Sequence, residues 1–144
     1  MLTKSEAQRI AHLRKPLPKL RERKGGVMQV ELLPSGGHFV CPFLDEGSHH
    51  CSIYSSQPLD CRLWPYMFTR SRDGKSVNLV CADRSYCRCI EKISPAEMEG
   101  HNRDILRRIR SEGILDTVKQ FPGLILDCEP DTFVIAEIPE LKKA

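Results

Sequence analysis

The sequence predicts a small, loop-rich α+β domain of short β-hairpins and a few helices around a cysteine-rich segment. Three observations support this prediction. Short strand-like segments alternate with glycine- and proline-containing turns, two helix starts carry strong capping signals, and six of the seven cysteines fall between positions 41 and 89. The 144 residues fit one domain with a modest core. We therefore expect a single domain over residues 1–144, with its core motif at residues 41–89.

The first predicted element is a helix over residues 3–14. Thr3 and Glu6 have the spacing of a capping box, and two prolines shortly afterwards end the helical pattern. The stretch 14–24 that follows is basic, contains prolines and closes with a glycine pair. Such a composition is typical of a solvated linker.

Two hairpins are predicted in the next part of the chain. A strand over residues 27–33 leads through a Ser-Gly-Gly turn into a short strand over residues 38–40, which delivers Cys41. An Asp-Gly turn joins a second pair of strands, over residues 66–70 and 76–80.

The C-terminal part predicts two helices and a last hairpin. A Ser-Pro-x-Glu start at Ser94 favours a helix to about Ser111, and a shorter helix covers residues 115–121. Residues 124–128 and 132–138 indicate a final hairpin, in which Cys128 is expected to be a buried thiol.

Cysteine usage indicates metal binding rather than disulfide formation. Cys41, Cys51 and Cys61 are separated by nine residues each, and turn-forming loops connect them. No apolar leader or membrane-spanning run is present, so we expect a cytoplasmic protein, where clustered thiols are more often metal ligands than disulfides. Thiolates suit zinc, iron or an iron–sulfur cluster, and their spacing does not separate these cofactors. Scattered buried thiols are the alternative interpretation.

Other side chains near these cysteines could complete the site. His49 and His50 precede Cys51 directly, and imidazole is a good ligand for either metal. The aromatic residues Tyr54 and Trp64 are expected to pack as part of the wall of the site, with Phe43 beside them.

The stretch from Cys41 to Pro65 resembles a known family. It contains, in order, Cys41-Pro-Phe-Leu44, Cys51-Ser-Ile-Tyr54, Gln57-Pro-Leu-Asp-Cys61-Arg62 and Trp64-Pro65. This ordered set is similar to the CxxCxxCC, or YkgJ-type, cysteine-cluster family of zinc- or iron-chelating domains. Gln57 stands where the family usually has arginine.

The resemblance implies a further ligand, because the family has a Cys-Pro-Gly-Ile segment where this chain has Cys87-Arg88-Cys89-Ile90. The predicted ligands of zinc or iron are therefore Cys41, Cys51, Cys61 and Cys87. Cys81 and Cys89 are their possible substitutes.

The four-cysteine signature that names the family is not in this chain. In the family it precedes a helix similar to the one predicted here from Thr3. We expect either that the start codon is assigned too far downstream, which is slightly favoured, or that a reduced site closes with Cys81 and Cys89.

Two other function classes stay open. Arg62 beside Cys61 would lower the pKa of that thiol, and the family includes a flagellin lysine N-methylase, so a thiol- or metal-dependent redox or methyl-transfer enzyme is one alternative. Nucleic-acid binding through the basic segments 14–24 and 103–110 is less favoured, because the net charge is only +3. The sequence identifies no substrate and no protein partner.

Overall fold

The structure, a computed structural model, describes residues 1–13, 18–83 and 88–142, apart from the side chains of residues 88 and 89. The chain divides into two compact units, Met1–Arg62 and Leu63–Ala144. Helices and several short, mainly antiparallel sheets occur together, which confirms the α+β class. Among the described helices, none has both the length and the apolar composition needed to cross a membrane.

The first unit is built from short elements that lie in three small sheets beside one N-terminal helix. The elements are β1 (Leu2–Thr3), α1 (Lys4–Ala11), β2 (Leu20–Arg23), β3 (Val27–Val30), β4 (Leu33–Ser35), β5 (His38–Val40), β6 (Leu44–Asp45), β7 (His50–Cys51) and α2 (Leu59–Leu63). Strands β1, β3 and β2 form one antiparallel sheet, and β4–β5 and β6–β7 are separate hairpins.

Helix α1 begins as predicted but is shorter. The Thr3 side chain accepts a hydrogen bond from the backbone of Glu6, and the Glu6 side chain accepts from the backbone of Thr3, so the capping box is present. The helix ends at Ala11, with His12 as its C-cap residue. Position 14, the predicted end, lies outside the described residues.

The predicted strand over residues 27–33 is wrong because this segment belongs to two sheets. Residues 20–23, expected to be part of a linker, form β2 and pair with β3 through a turn at Gly25 and Gly26, both with φ of 76°. The first residue of β2, Leu20, lies opposite Val30, so the ladder ends there. Leu33 then begins the separate β4–β5 hairpin.

A compact apolar cluster holds the first unit together. Leu2, Ile10, Phe43 and Ile53 are all buried, and the half-buried Cys51 packs against them. The cluster therefore joins the N-terminal helix to the hairpin that carries the second cysteine of the motif.

The second unit contains a four-stranded sheet and two helices. Its elements are β8 (Tyr66–Arg70), β9 (Val77–Ala82), α3 (Pro95–Ser111), α4 (Ile114–Gln120), β10 (Ile125–Leu126) and β11 (Thr132–Glu137), and the strand order is β10-β8-β9-β11. The β8–β9 hairpin and helix α3 with its Ser94 capping box agree with the sequence prediction. Helix α4 begins and ends one residue earlier than predicted.

The predicted final hairpin is wrong. Strand β10 pairs parallel to β8, whereas β11 pairs antiparallel to β9, so the two segments lie at opposite edges of the sheet. The central β8–β9 hairpin offers two open edges, and each C-terminal segment pairs with one of them. Ile125 is thereby buried at one edge, and Ala82 lies opposite Thr132 at the other.

Candidate metal centre

Three of the four predicted ligands lie in the first unit, on consecutive elements. Cys41 follows β5 directly, Cys51 is the last residue of β7, and Cys61 lies in α2. The backbone N–H of Leu44 donates to the Cys41 carbonyl at 2.9 Å, and Leu44 lies opposite Cys51 in the β6–β7 pair. This tight turn followed by a hairpin brings Cys41 and Cys51 to neighbouring positions.

Buried residues on either side of the hairpin fix it to the core. The Phe43 carbonyl accepts hydrogen bonds from both the backbone N–H and the hydroxyl of Ser52, at 2.7 and 3.0 Å. Phe43 and Ile53 are both buried in the apolar cluster. The cysteines at the two ends of this segment are therefore held by a packed scaffold rather than by a free loop.

Helix α2 brings the third thiol. Its first residue, Leu59, donates its backbone N–H to Oε1 of Glu6 at 2.7 Å, and Arg62 N–H donates to the Pro58 carbonyl at 3.0 Å. The side chain of Asp60 accepts a hydrogen bond from the amino group of Met1. These contacts connect the Cys61 helix to the N-terminal helix α1.

The three thiols lie close enough to interact electrostatically. Although the residue is exposed, partial desolvation of its thiol raises the pKa of Cys61 above its ordinary value, and the negative charge of Asp60 raises it further. The Met1 amino group lowers this pKa, whereas Cys41 and Cys51 raise it. Like charges raise a thiol pKa, so Cys41 and Cys51 lie near enough to Cys61 to affect its ionisation.

The expectation that Arg62 lowers the pKa of Cys61 is wrong. The net shift is upward, and burial and Asp60 are its two largest causes. Side chains of adjacent residues in a helix do not face each other. The charge of Arg62 is therefore not expected to act strongly on the Cys61 thiol.

The residues present fit zinc or iron in donor type. Three soft sulfur donors share one unit; Cys41 and Cys61 are exposed and Cys51 is half-buried, so an ion can approach from solvent. Within residues 1–13, 18–83 and 88–142, however, no three ligand side chains are grouped so that they could hold a metal ion. An ion held by all three thiols would therefore require their side chains to move closer together.

The remaining cysteines differ in position and burial. Cys87 and the side chain of Cys89 lie outside the described residues. Cys81 is completely buried in β9, opposite Tyr66 on one side and Phe133 on the other. Cys128 is exposed, contrary to the prediction of a buried thiol, because it lies in the connection between two strands that do not pair with each other.

The two histidines are exposed: His49 lies in the β6–β7 connection and His50 is the first residue of β7. His49 has a positive φ of 57°, and His50 lies opposite Asp45 in the hairpin. Neither belongs to a group of three ligand side chains in the described part of the chain.

The predicted aromatic wall is only partly present. Phe43 is buried, but Tyr54 is 75% exposed and Trp64 is 51% exposed, so the expectation that these two pack as a wall is wrong. Tyr54 lies in a short 3₁₀ turn, Tyr54–Ser56, at the surface of the first unit, and Ile53 takes the neighbouring core position.

Sequence reasoning found Glu6 as a capping residue but missed its second contact. The carboxylate that completes the α1 capping box also accepts the Leu59 N–H, 53 positions away in sequence. No local pattern indicates such a contact, because each partner looks like an ordinary helix-start residue.

One comparison with known proteins bears on this site. The family model CxxCxxCC, with the description "Putative zinc- or iron-chelating domain", matches residues 2–88. The matched region is more than half of the chain and contains Cys41, Cys51, Cys61 and Cys87. Neither the curated proteins nor the solved structures give a match.

Proposed function

The chain belongs to the CxxCxxCC family, and from this premise we propose that it binds a zinc or iron ion through the thiolates of Cys41, Cys51 and Cys61. Cys87 is the proposed fourth ligand. The observation that carries the proposal is the match to a zinc- or iron-chelating family model over the segment in which these three cysteines lie on neighbouring elements of one unit. Four thiolates would satisfy the tetrahedral preference of a structural zinc site.

Cys81 is the weaker candidate for a substitute ligand. Its side chain has no solvent exposure and lies within the paired strands of the second unit. An ion bound there would have to displace packed neighbours, whereas Cys41 and Cys61 are already exposed. Cys89 stays a possible substitute on sequence grounds.

The donor set supports zinc, mononuclear iron and an iron–sulfur cluster alike. Thiolate-bound zinc has no d–d absorption, whereas ferric thiolate centres and iron–sulfur clusters absorb visible light. Visible spectra recorded anaerobically, before and after chemical oxidation, therefore separate the zinc form, colourless in both states, from the iron forms.

A thiol-based enzyme has less support. A nucleophilic cysteine normally has a lowered pKa, and the environment of Cys61 raises it.

Nucleic-acid binding through α3 also has less support. Arg103 pairs with Glu99 at 2.7 Å, Arg107 with Asp104 at 2.9 Å, and Arg110 with Glu140 at 3.1 Å. Carboxylates beside these arginines offset the positive charge that a phosphate backbone would need.

Metal analysis of variants purified without oxygen tests the proposal. The wild-type protein should contain zinc or iron in stoichiometric amount, and Cys51→Ser or Cys61→Ser should reduce the content sharply because each removes one thiolate. Cys128→Ser is the matched control, since this thiol is exposed like those of Cys41 and Cys61 but is not one of the proposed ligands. Wild-type metal content in both the Cys51 and Cys61 variants would refute the assignment.

A further inference from the structure

We propose that Glu6 is a positioning residue for the metal centre, which sets the location of Cys61 without touching the ion. This inference rests on the proposed function, because it assigns a role to Glu6 only if Cys61 is a ligand. The observation behind it is that the Glu6 carboxylate hydrogen-bonds to residues at the starts of both α1 and α2, and α2 contains Cys61.

Both oxygen atoms of the Glu6 carboxylate have hydrogen-bond donors. Oε2 accepts from the Thr3 N–H at 2.8 Å and from the Thr3 hydroxyl at 3.1 Å, and Oε1 accepts from the Leu59 N–H at 2.7 Å. The group therefore serves as a bridge between α1 and α2. A carboxylate engaged in this way is not placed to coordinate an ion itself.

Helix α2 depends on such outside contacts. It has five residues, Leu59–Leu63, and a helix this short is not stable in isolation. Its first N–H groups have no acceptor within the helix, and Glu6 supplies an acceptor for one of them. Cys61 follows Leu59 by two residues, so the bond that fixes the start of α2 also fixes the position of this thiol.

A second contact from α1 acts on the preceding segment but is weaker. The Arg9 guanidinium donates to the Ser56 carbonyl at 3.4 Å, at an exposed position. Glu6 is only partly exposed and forms shorter bonds, so we assign the positioning role to it rather than to Arg9.

The test measures Co²⁺ affinity, with Co²⁺ as a spectroscopic probe of a thiolate site. Glu6→Ala should weaken binding by about 10- to 100-fold, the range found when a group that orients a metal ligand is removed. Glu22→Gln is the control, because it neutralises an exposed carboxylate of the same unit that forms an ion pair with Lys4 at 3.0 Å. The control should bind Co²⁺ as the wild type does.

A double-mutant cycle with Cys61→Ser separates positioning from general destabilisation. If Glu6 acts through Cys61, Glu6→Ala should lower the thiolate-to-cobalt charge-transfer absorption to the level seen in Cys61→Ser. The double variant should then bind Co²⁺ no more weakly than Cys61→Ser alone. Additive losses, or wild-type affinity in Glu6→Ala, would overturn the inference. If Glu6→Ala does not fold by circular dichroism, Glu6→Asp is used in the same cycle, since it keeps the charge but shortens the reach towards Leu59.

Failure of this inference can be distinguished from failure of the proposed function. If the wild-type protein shows no thiolate-to-cobalt absorption, the metal site itself is refuted. If the wild type shows this absorption and Glu6→Ala matches it in affinity and intensity, only the role of Glu6 is refuted.

Discussion

Tyr66 is the residue whose ionisation the structure changes most clearly. Its hydroxyl donates a 3.0 Å hydrogen bond to Oδ1 of Asn102 on α3. The pKa of Tyr66 is raised from 10.0 to about 12, mainly by burial and to a smaller extent by the charge of Cys81. The neutral phenol is therefore the form that the folded unit favours.

The sign of this shift predicts an alkaline limit on stability. Because the pKa is higher in the folded state, the contribution of Tyr66 is complete below pH 10 and is lost as the pH rises towards 12. Tyr66→Phe should remove this dependence between pH 10 and 12, and at neutral pH it should cost about 1 kcal/mol for the lost hydrogen bond. Urea unfolding across this pH range checks both effects, and an identical alkaline decline in the variant would contradict them.

At the scale of elements, helix α3 shows how much a local signal can specify. Ser94 accepts the backbone N–H of Glu97, and Glu97 accepts from the backbone and the hydroxyl of Ser94. These bonds lower the pKa of Glu97 below its ordinary 4.5, so the contribution of the carboxylate is present above that pH and is lost on acidification.

Removing this cap should destabilise the second unit. We expect Ser94→Ala to lower the free energy of unfolding by about 1 kcal/mol at pH 7, the usual cost of losing an N-cap side chain. Ser111→Ala, at the exposed other end of the same helix, is the control and should change stability little. Urea denaturation measures the difference, and equal effects of the two substitutions would argue against the cap.

The elements that sequence predicted well have their determinants within a few residues. The α3 cap, the α1 cap and the Asp73-Gly74 turn are of this kind, and all are present. Strand β2 was missed because its basic composition is typical of a linker, although it pairs with the next strand, β3. The segment that forms β10 was predicted as a strand, but its pairing was wrong because its partner β8 lies in a distant part of the chain. The candidate site follows the same rule: the cysteines could be recognised from their motif, whereas the Glu6–Leu59 contact could not.

At the scale of the whole molecule, the two units differ in how much regular structure supports them. The motif region of the first unit relies on two-residue strands and a five-residue helix. In the second unit, the six-residue strand β9 is paired on both sides and has five buried residues. Metal binding should therefore contribute more to the first unit, because it links segments that have few other constraints.

This difference predicts a local response to metal removal. After chelation, amide hydrogen exchange should accelerate across residues 41–63, because the thiolate links that join these segments are lost. Exchange in β9 should change little, since its hydrogen bonds do not depend on the ion. Mass-spectrometric exchange on holo and stripped protein measures this, and equal acceleration in both segments would count against an effect of the ion that is local to residues 41–63.

X-ray absorption spectroscopy of the metal in anaerobically purified protein tests the central claim most directly. The claim is that cysteine thiolates bind the ion, and the nearest-neighbour shell reports the ligand atoms themselves. For zinc, we predict a shell of sulfur atoms at about 2.3 Å that loses one scatterer in Cys61→Ser. A shell of only nitrogen or oxygen atoms at about 2.0–2.2 Å, unchanged in that variant, would contradict the claim.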